Sequence, residues 1–122
     1  MEKGKLATIG FIVLILLIVG TVVYSKNTGQ AIKDIPSESV AKWIGEHSVL
    51  YVQTGCSHCK EQEDLFGNNV KYINIIDGIK EENRQKFIDA EIEYTPTWVI
   101  NGQKYVGVQS IEKLKEITGY QG

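Results

Sequence analysis

The sequence predicts an α/β domain with a central mixed sheet flanked by helices, preceded by one N-terminal transmembrane helix. Three observations support this prediction. An uncharged apolar run occupies residues 6–24, strand-like and helical segments alternate after residue 37, and Asn101-Gly102 separates the last two strand-like segments. Alternating strands and helices form parallel βαβ units, and Asn-Gly between two strands indicates an antiparallel hairpin. The expected segments are an N-terminal tail (1–5), a transmembrane anchor (6–24), a linker (25–36) and the α/β domain (37–122).

Length and charge exclude several classes of protein. The chain has 122 residues and a net charge of −2, which leaves room for one small domain. Residues 31–122 carry 10 Lys/Arg against 14 Asp/Glu, so the domain lacks the basic surface of a nucleic-acid-binding protein. Two cysteines are too few for a scaffold of many disulfides or for a zinc site of four cysteines. We therefore expect no nucleic-acid partner and no cofactor.

The apolar run from Leu6 to Tyr24 is predicted to be an uncleaved membrane anchor. Of its 19 residues, 15 are apolar and none is charged. A helix of this length spans about 28 Å, close to the hydrocarbon core of roughly 30 Å. The alternative is a cleaved signal peptide, which would have a shorter apolar segment followed by a small-residue cleavage site.

The charges that flank the anchor suggest its orientation. Lys3 and Lys5 precede the run, and Lys26 and Lys33 follow it. With the short N-terminal tail, this distribution slightly favours a cytoplasmic N-terminus. We expect a single-pass protein of the cell membrane whose C-terminal domain lies on the extracytoplasmic, oxidising side. The polar residues 25–36 would form a flexible linker that spans roughly 20 Å.

The domain is predicted to fold in the order α-β-α-β-α-β-β-α. Ser37 is expected to cap a first helix that runs through Gly45 and buries Val40, Trp43 and Ile44. The later elements are a strand at Val49–Val52, a helix from Cys56 to Phe66 ended by Gly67, a strand at Val70–Ile76, a helix from Lys80 to Glu91 with Phe87 and Ile88 inward, strands at Thr97–Ile100 and Gln103–Val106, and a helix capped by Ser110 and ended by Gly119.

The chemistry is expected at Cys56-Ser57-His58-Cys59, which follows a strand and opens a helix. Residues i and i+3 share a helix face, so their Cα atoms lie within the ~4.4–6.8 Å that a disulfide requires. Cys56 would occupy the first turn, where unpaired N–H groups and the helix dipole favour a thiolate, and Cys59 would be more buried. Thiol–disulfide exchange needs this difference between an attacking and a resolving thiol.

Two other interpretations of the cysteine pair are open. A purely structural disulfide that closes so short a loop would contribute only about 2 kcal/mol, against ~4.7 kcal/mol for a 100-residue loop. A metal site would have Cys56, Cys59 and His58 as its only local ligands, and His47 is the sole other histidine. Redox chemistry is therefore the favoured interpretation, with no metal.

His58 is expected to tune the reactivity of the neighbouring sulfur, together with Ser57 between the cysteines. A charged or N–H-donating imidazole would stabilise the Cys56 thiolate. A stabilised thiolate leaves readily, so the disulfide becomes more oxidising. The alternative for His58 is an exposed imidazole without a role. Lys60 would add positive potential, or it is a solvated lysine on the helix face.

A second motif is Thr95-Pro96-Thr97-Trp98, in which Pro96 opens a strand. A strand tolerates proline at its first residue, where the missing N–H is harmless. An X-Pro pair alone is a weak signal for a cis bond, which occurs in about 5–6% of such pairs. Its position after a strand–CxxC–helix unit strengthens that signal.

Several other residues are expected to be structural. Trp43 and Trp98 would lie in the core or line a groove. Glu61, Glu63 and Asp64 would form a solvated helix face.

The order of these motifs resembles that of the thioredoxin superfamily. The motifs are Gly55–Lys60, Tyr94–Thr97, Asn101–Gly102 and Gly107–Ser110, and the likeness covers residues 38–120. The run TPTWVINGQKYVGVQSIEKLKEITGY is similar to the thioredoxin-like domains fused to, or partnered with, bacterial and archaeal homologues of vitamin K epoxide reductase. Those homologues are membrane quinone reductases that reoxidise such a domain, which then passes disulfides to exported proteins.

The resemblance implies a thioredoxin-like fold and a membrane-anchored thiol–disulfide oxidoreductase. It implies a Cys56–Cys59 disulfide in which Cys56 is the nucleophile and Cys59 the resolving thiol. Pro96 would be a cis-proline packed against them, and the backbone of Thr95 would pair with an extended substrate segment. The implied partners are a membrane protein similar to vitamin K epoxide reductase and cysteine-containing exported proteins.

The sequence departs from the family pattern at three places. The buried acid that usually lies six residues before the first cysteine is replaced by Leu50, so no proton acceptor for Cys59 is visible. The residue before the first cysteine is usually aromatic, whereas Gly55 would leave the disulfide open to substrates. The proline often found between the cysteines is absent.

Two alternative functions remain open at the level of sequence. Tethered thioredoxin-like proteins also reduce the cysteines of apocytochromes before haem attachment, and sequence fixes the redox direction poorly. A non-enzymatic copper- or zinc-binding module built on Cys56 and Cys59 is the other alternative.

Overall fold

A computed structural model of the chain describes residues 8–18 and 34–122. The chain divides into two units, Met1–Ile32 and Lys33–Gly122. In the first unit, residues 8–18 form a helix with exposed apolar side chains. The predicted anchor extends on both sides of this helix, and its residues 6–7 and 19–24 lie outside the described residues, as do linker residues 25–33. No helix within the two described ranges is long and apolar enough to cross a membrane.

Residues 34–122 contain four α-helices and four strands in the predicted order. They are α1 (Glu38–His47), β1 (Val49–Val52), α2 (Ser57–Asp64), β2 (Ile75–Asp77), α3 (Arg84–Asp89), β3 (Thr97–Ile100), β4 (Gln103–Val106) and α4 (Ile111–Thr118). Short 3-10 helices cover Gly67–Tyr72 after α2 and Glu81–Asn83 before α3.

The four strands form one mixed sheet in the order β2-β1-β3-β4. β1 pairs with β2 in parallel and with β3 in antiparallel orientation, so Leu50 lies between Ile75 and Trp98. β4 returns beside β3 through a turn at Asn101 and Gly102, both of which have positive φ, as a tight hairpin requires. The predicted parallel unit with an antiparallel hairpin at one edge is confirmed, and the sheet with its helices is compatible with a thioredoxin-like fold.

The predicted helix caps are also found. The Ser37 hydroxyl accepts a hydrogen bond from the Val40 N–H at 3.4 Å, and Ser110 caps α4 in the same way. Trp43 Nε1 donates to the Thr118 carbonyl at 3.1 Å, which ties α1 to α4.

One apolar core lies between the sheet and the helices. Trp98 and Phe66 are fully buried at its centre, with ring centroids 6.1 Å apart. Cys59 belongs to this core and is only 2% exposed. The second cysteine is therefore held by the packing of the domain as well as by its bond to the first.

The second predicted strand is shorter than expected. The prediction placed it at Val70–Ile76, but only Ile75–Asp77 is a strand and the first half belongs to the 3-10 helix Gly67–Tyr72. This helix packs against α1 so closely that a Cβ atom on Gly45 would lie 1.9 Å from the Tyr72 carbonyl oxygen. A short apolar run does not distinguish burial against a helix from burial in a sheet.

Two helices also differ from their predictions. α2 begins at Ser57 and ends at Asp64, so Cys56 is the N-cap residue and does not lie in the first turn. α3 covers only Arg84–Asp89, and Ile88, which was predicted to point inward, is 60% exposed. Phe87, the other residue predicted to point inward, is partly buried, and its ring lies 5.2 Å from that of Tyr51.

Candidate active site

Cys56 and Cys59 form a disulfide at the start of α2, with their Cα atoms 5.2 Å apart. β1 ends at Val52, and an exposed turn leads from it to Cys56. Gly55 in this turn has φ +91°, and a Cβ atom there would meet no residue other than its two chain neighbours within 4 Å. That this glycine leaves the disulfide open to substrates stays a prediction.

The two sulfur atoms have different surroundings. Cys56 is half-buried, whereas Cys59 is buried in the core. The Cys59 N–H donates a hydrogen bond to Cys56 Sγ at 3.2 Å. Backbone N–H groups at a helix start lack partners within the helix and favour negative charge on a nearby atom. This is the geometry that an attacking Cys56 and a resolving Cys59 require.

The Thr95–Pro96 peptide bond is cis and lies next to the disulfide, as the resemblance implies. Pro96 is buried, and its carbonyl accepts a hydrogen bond from the Gly107 N–H at 2.8 Å. Thr95 Oγ1 donates to Cys56 Sγ at 3.7 Å, and the Thr95 carbonyl oxygen lies 3.6 Å from the same sulfur. Within the described part of the chain the Thr95 N–H donates no hydrogen bond.

A shallow groove lies next to the half-buried Cys56, on the side of Thr95. It is lined by His58, Glu61, Thr95, Pro96, Gly107 and Val108. The His58 side chain is 75% exposed, and its Nδ1 lies 3.3 Å from Glu61 Oε2. His58 thus pairs with Glu61 while the disulfide is closed, and its predicted effect on Cys56 stays a prediction. Ser57 is exposed at the first position of α2.

On another side of the disulfide lies a cavity that the sequence did not indicate. Its lining includes both cysteines, Lys60, Glu63 and Asp77. Glu63 was predicted to be solvated with its neighbours, but it is partly buried, so that prediction was wrong for this residue.

Asp77 anchors the turn that carries Cys56. Its Oδ1 accepts hydrogen bonds from the N–H groups of Thr54 and Ile79, both at 3.1 Å. The Thr54 hydroxyl donates to Oδ2. The hydrogen bond from the Thr54 side chain is the main cause that lowers the pKa of Asp77 below its usual value. The sequence contained a signal for this contact. Thr54 follows β1 and Asp77 ends β2, and the carboxyl ends of parallel strands meet at one edge of a sheet.

Gln62 joins α2 to the strand and loop that carry the other half of the site. It is fully buried. Its Oε1 accepts from Trp98 Nε1 at 2.9 Å and from the Gln109 N–H at 2.6 Å, and its Nε2 donates to the Gln109 carbonyl at 3.1 Å. The side-chain amide of Gln62 therefore holds α2 against β3 and against the backbone at Gln109.

The next feature is the arrangement of side chains that could bind a metal ion. Within residues 8–18 and 34–122, no three His, Cys, Asp or Glu side chains are grouped so that they could hold a metal ion. His47 lies in α1, where its ring stacks on Trp43 with centroids 3.8 Å apart.

Comparison with known proteins finds a relative of stated activity. The chain is 36% identical over 78 residues to thiol-disulfide oxidoreductase LTO1 of Arabidopsis thaliana, a match that covers 58% of this chain and 21% of the relative. The chain thus spans about a fifth of the length of the curated relative it matches. No protein-family profile matches the chain.

The likeness and the geometry support the same class of enzyme. A relative that is a thiol–disulfide oxidoreductase and a Cys56–Cys59 disulfide at a helix start fit the thioredoxin-like superfamily. Both support a thiol–disulfide oxidoreductase.

Proposed function

We propose that this chain is a membrane-anchored thiol–disulfide oxidoreductase that transfers its Cys56–Cys59 disulfide to cysteine-containing exported proteins. A membrane quinone reductase similar to vitamin K epoxide reductase then restores the disulfide. The single observation that carries the chemistry is the contrast between a half-buried Cys56 sulfur beside a groove and a buried Cys59 sulfur behind it.

The transfer takes place in two exchanges. A substrate thiolate attacks Cys56 Sγ, a mixed disulfide forms, and Cys59 leaves as a thiolate that takes up a proton. The second substrate thiolate then attacks the substrate sulfur of the mixed disulfide, and Cys56 leaves as a thiolate. The substrate gains a disulfide and loses two electrons, and both cysteines are reduced.

The geometry around Cys56 supports the second exchange, in which Cys56 leaves as a thiolate. The Cys59 N–H at 3.2 Å and the Thr95 hydroxyl at 3.7 Å both donate to Cys56 Sγ, so negative charge on this sulfur is stabilised when it leaves. An extended substrate that pairs with the Thr95 backbone would lie in the groove next to the sulfur.

The anchor would raise the concentration of the domain near its reoxidant. A tether converts the encounter with a membrane enzyme into an effectively intramolecular step. The uncharged run of residues 6–24 and the lysines that flank it support a single span with the domain on the extracytoplasmic side. A membrane-impermeant thiol reagent tests this: in intact cells with reduced protein it should label Cys56, and labelling only after the cells are permeabilised would contradict the orientation.

The transfer itself is tested with the oxidised full chain in detergent and a reduced, unfolded client protein. We expect client thiols to disappear as the Cys56 and Cys59 thiols appear, in equal amounts. Cys59→Ser, with Cys56 first converted to a mixed disulfide with thionitrobenzoate, should release that group and form a mixed disulfide with a client that has a single cysteine. Cys56→Ser serves as the matched control that forms none. No transfer by the native chain would refute the proposal.

The direction of electron flow is tested by equilibration with glutathione. If the helix start and His58 stabilise the reduced form, the potential should lie well above the about −270 mV of thioredoxin. A value as low as that of thioredoxin would favour the reductive alternative. Reoxidation of the reduced chain should require membranes that contain both the quinone reductase and a quinone, and equal reoxidation without either would refute that partner.

A further inference from the structure

The opening of the disulfide creates a problem for the buried sulfur. Cys59 leaves as an anion although its side chain is only 2% exposed, and a buried anion is strongly disfavoured unless it is protonated or paired. Leu50 and Val52 of β1 belong to the same buried core as Cys59, and both side chains are apolar. A proton donor has to come from another element.

The cavity beside the disulfide holds a candidate. Cys59 and Glu63 both line it, and its volume is about 220 Å³. The two residues are four apart on α2, so they lie on one face of the helix. A cavity of this size is large enough for water molecules, and one water suffices to carry a proton between two groups that do not touch.

The other titratable groups of this cavity are occupied. Asp77 accepts three hydrogen bonds, two from Thr54 and one from Ile79, and these favour its anionic form. Lys60 forms an ion pair with Asp64, which raises the pKa of the lysine and keeps it a cation. By contrast, no hydrogen bond or ion pair to the Glu63 carboxyl is found among residues 8–18 and 34–122.

The surroundings of Glu63 fit a group that exchanges protons. Burial raises the pKa of its carboxyl above the usual value, Lys60 opposes this shift, and the negative charges of Asp64 and Asp77 add to it. A raised carboxyl pKa lies closer to working pH, where an acid–base group is most effective.

We propose that Glu63 supplies the proton that Cys59 takes up when the disulfide opens, and accepts it again when the disulfide re-forms. This inference rests on the proposed function. On opening, the protonated carboxyl gives its proton through water to the Cys59 thiolate. On closing, the carboxylate takes the proton from the Cys59 thiol, and the thiolate attacks Cys56 Sγ and releases the partner sulfur as a thiolate. The electron pair of the broken bond leaves with the partner, so no further oxidant is needed.

The closing step can be followed in the reduced full chain in detergent with 5,5′-dithiobis(2-nitrobenzoate). Cys56 attacks the reagent and releases one thionitrobenzoate, and Cys59 then displaces the second, so the two phases of absorbance report the two cysteines in turn. We expect Glu63→Gln to leave the first phase unchanged and to slow the second by about tenfold or more near pH 7. At about pH 10 hydroxide ionises the Cys59 thiol directly, so the difference should largely disappear.

The sign of the effect separates proton transfer from simple electrostatics. Removal of a negative charge near Cys59 would favour its thiolate and accelerate the second phase. Glu63→Asp, which keeps a carboxylate, should recover most of the rate. Glu82→Gln is the matched control, because Glu82 is exposed on the 3-10 helix Glu81–Asn83, and it should leave both phases unchanged.

Different results would count against the role of Glu63 and against the proposed function. A Glu63→Gln variant as fast as the native chain near pH 7, or slowed equally near pH 7 and pH 10, would overturn the role of Glu63. A native chain that releases only one thionitrobenzoate would instead count against exchange between Cys56 and Cys59, and hence against the proposed function.

Discussion

Gln62→Leu is expected to destabilise the domain far more than a polar-to-apolar change on a helix usually does. Leucine is close to glutamine in volume, but it removes two acceptor bonds and one donor bond from a fully buried position. Trp98 Nε1 is then left in the core without a partner, which costs about 1–3 kcal/mol, and the half-buried Gln109 backbone loses bonds that water replaces only in part. We expect a total loss of about 2–4 kcal/mol in the free energy of unfolding.

Urea unfolding of the full chain in mild detergent, followed by tryptophan fluorescence and circular dichroism, measures this loss. Trp98→Phe removes the same indole donor, so the Gln62→Leu change should cost less in a Trp98→Phe background, by about 1–2 kcal/mol. A loss below about 0.5 kcal/mol in the native background would refute the reasoning, since surface substitutions have effects of that size.

Three further substitutions test other parts of the structure. Gly45→Ala should destabilise the domain by about 1–3 kcal/mol in urea unfolding because its Cβ would meet the Tyr72 carbonyl oxygen at 1.9 Å; stabilisation, as helix propensity alone predicts, would contradict this packing. Asp77→Asn should reduce the loss of unfolding free energy that occurs at acid pH. The pKa of Asp77 is lowered in the folded state, so its carboxylate stabilises the fold above about pH 4, and this stabilisation is lost as the pH falls further. An unchanged dependence of the unfolding free energy on pH would contradict this. Ser110→Ala should cost about 0.5–2 kcal/mol in the same unfolding assay through loss of the α4 cap to the Lys113 N–H, and a neutral result would show that the cap is dispensable.

The elements that the sequence predicted well are those with local signals. β1, β3 and β4 were placed at their observed bounds because each is a short β-type run bounded by turn residues. Ser37, Ser110 and the Asn101-Gly102 turn act through contacts within a few residues, so their roles are visible in sequence.

The segments that were predicted less well depend on distant contacts. The run VKYINII contains enough apolar residues for a strand, but its first half is held against α1 at Gly45. No local pattern reports that a glycine 27 positions earlier provides this close approach. Ile88 is exposed, whereas its neighbour Phe87 contacts Tyr51, which lies far earlier in the chain.

In the candidate active site, too, some residues have a signal in the sequence and others depend on distant contacts. Cys56 and Cys59 were predicted from motif spacing, and the cis peptide bond at Pro96 was implied by the family resemblance. Glu63 was predicted to lie on a solvated helix face, and Gln62 stands in the same run of polar residues without a signal of its own. Their burial follows from the packing of α2 against Trp98, Gln109 and the Asp77 turn, which are brought together only by the fold.

The central claim, that one sulfur of the pair is accessible and the other sheltered, is tested most directly by alkylation of the fully reduced full chain at about pH 6, below the ordinary thiol pKa. Mass spectrometry of the modified peptides measures how much reagent each cysteine has taken up. The structure predicts that Cys56 is modified in large excess over Cys59. Equal modification of the two cysteines, or preferential modification of Cys59, would contradict the division of roles on which the proposed function depends.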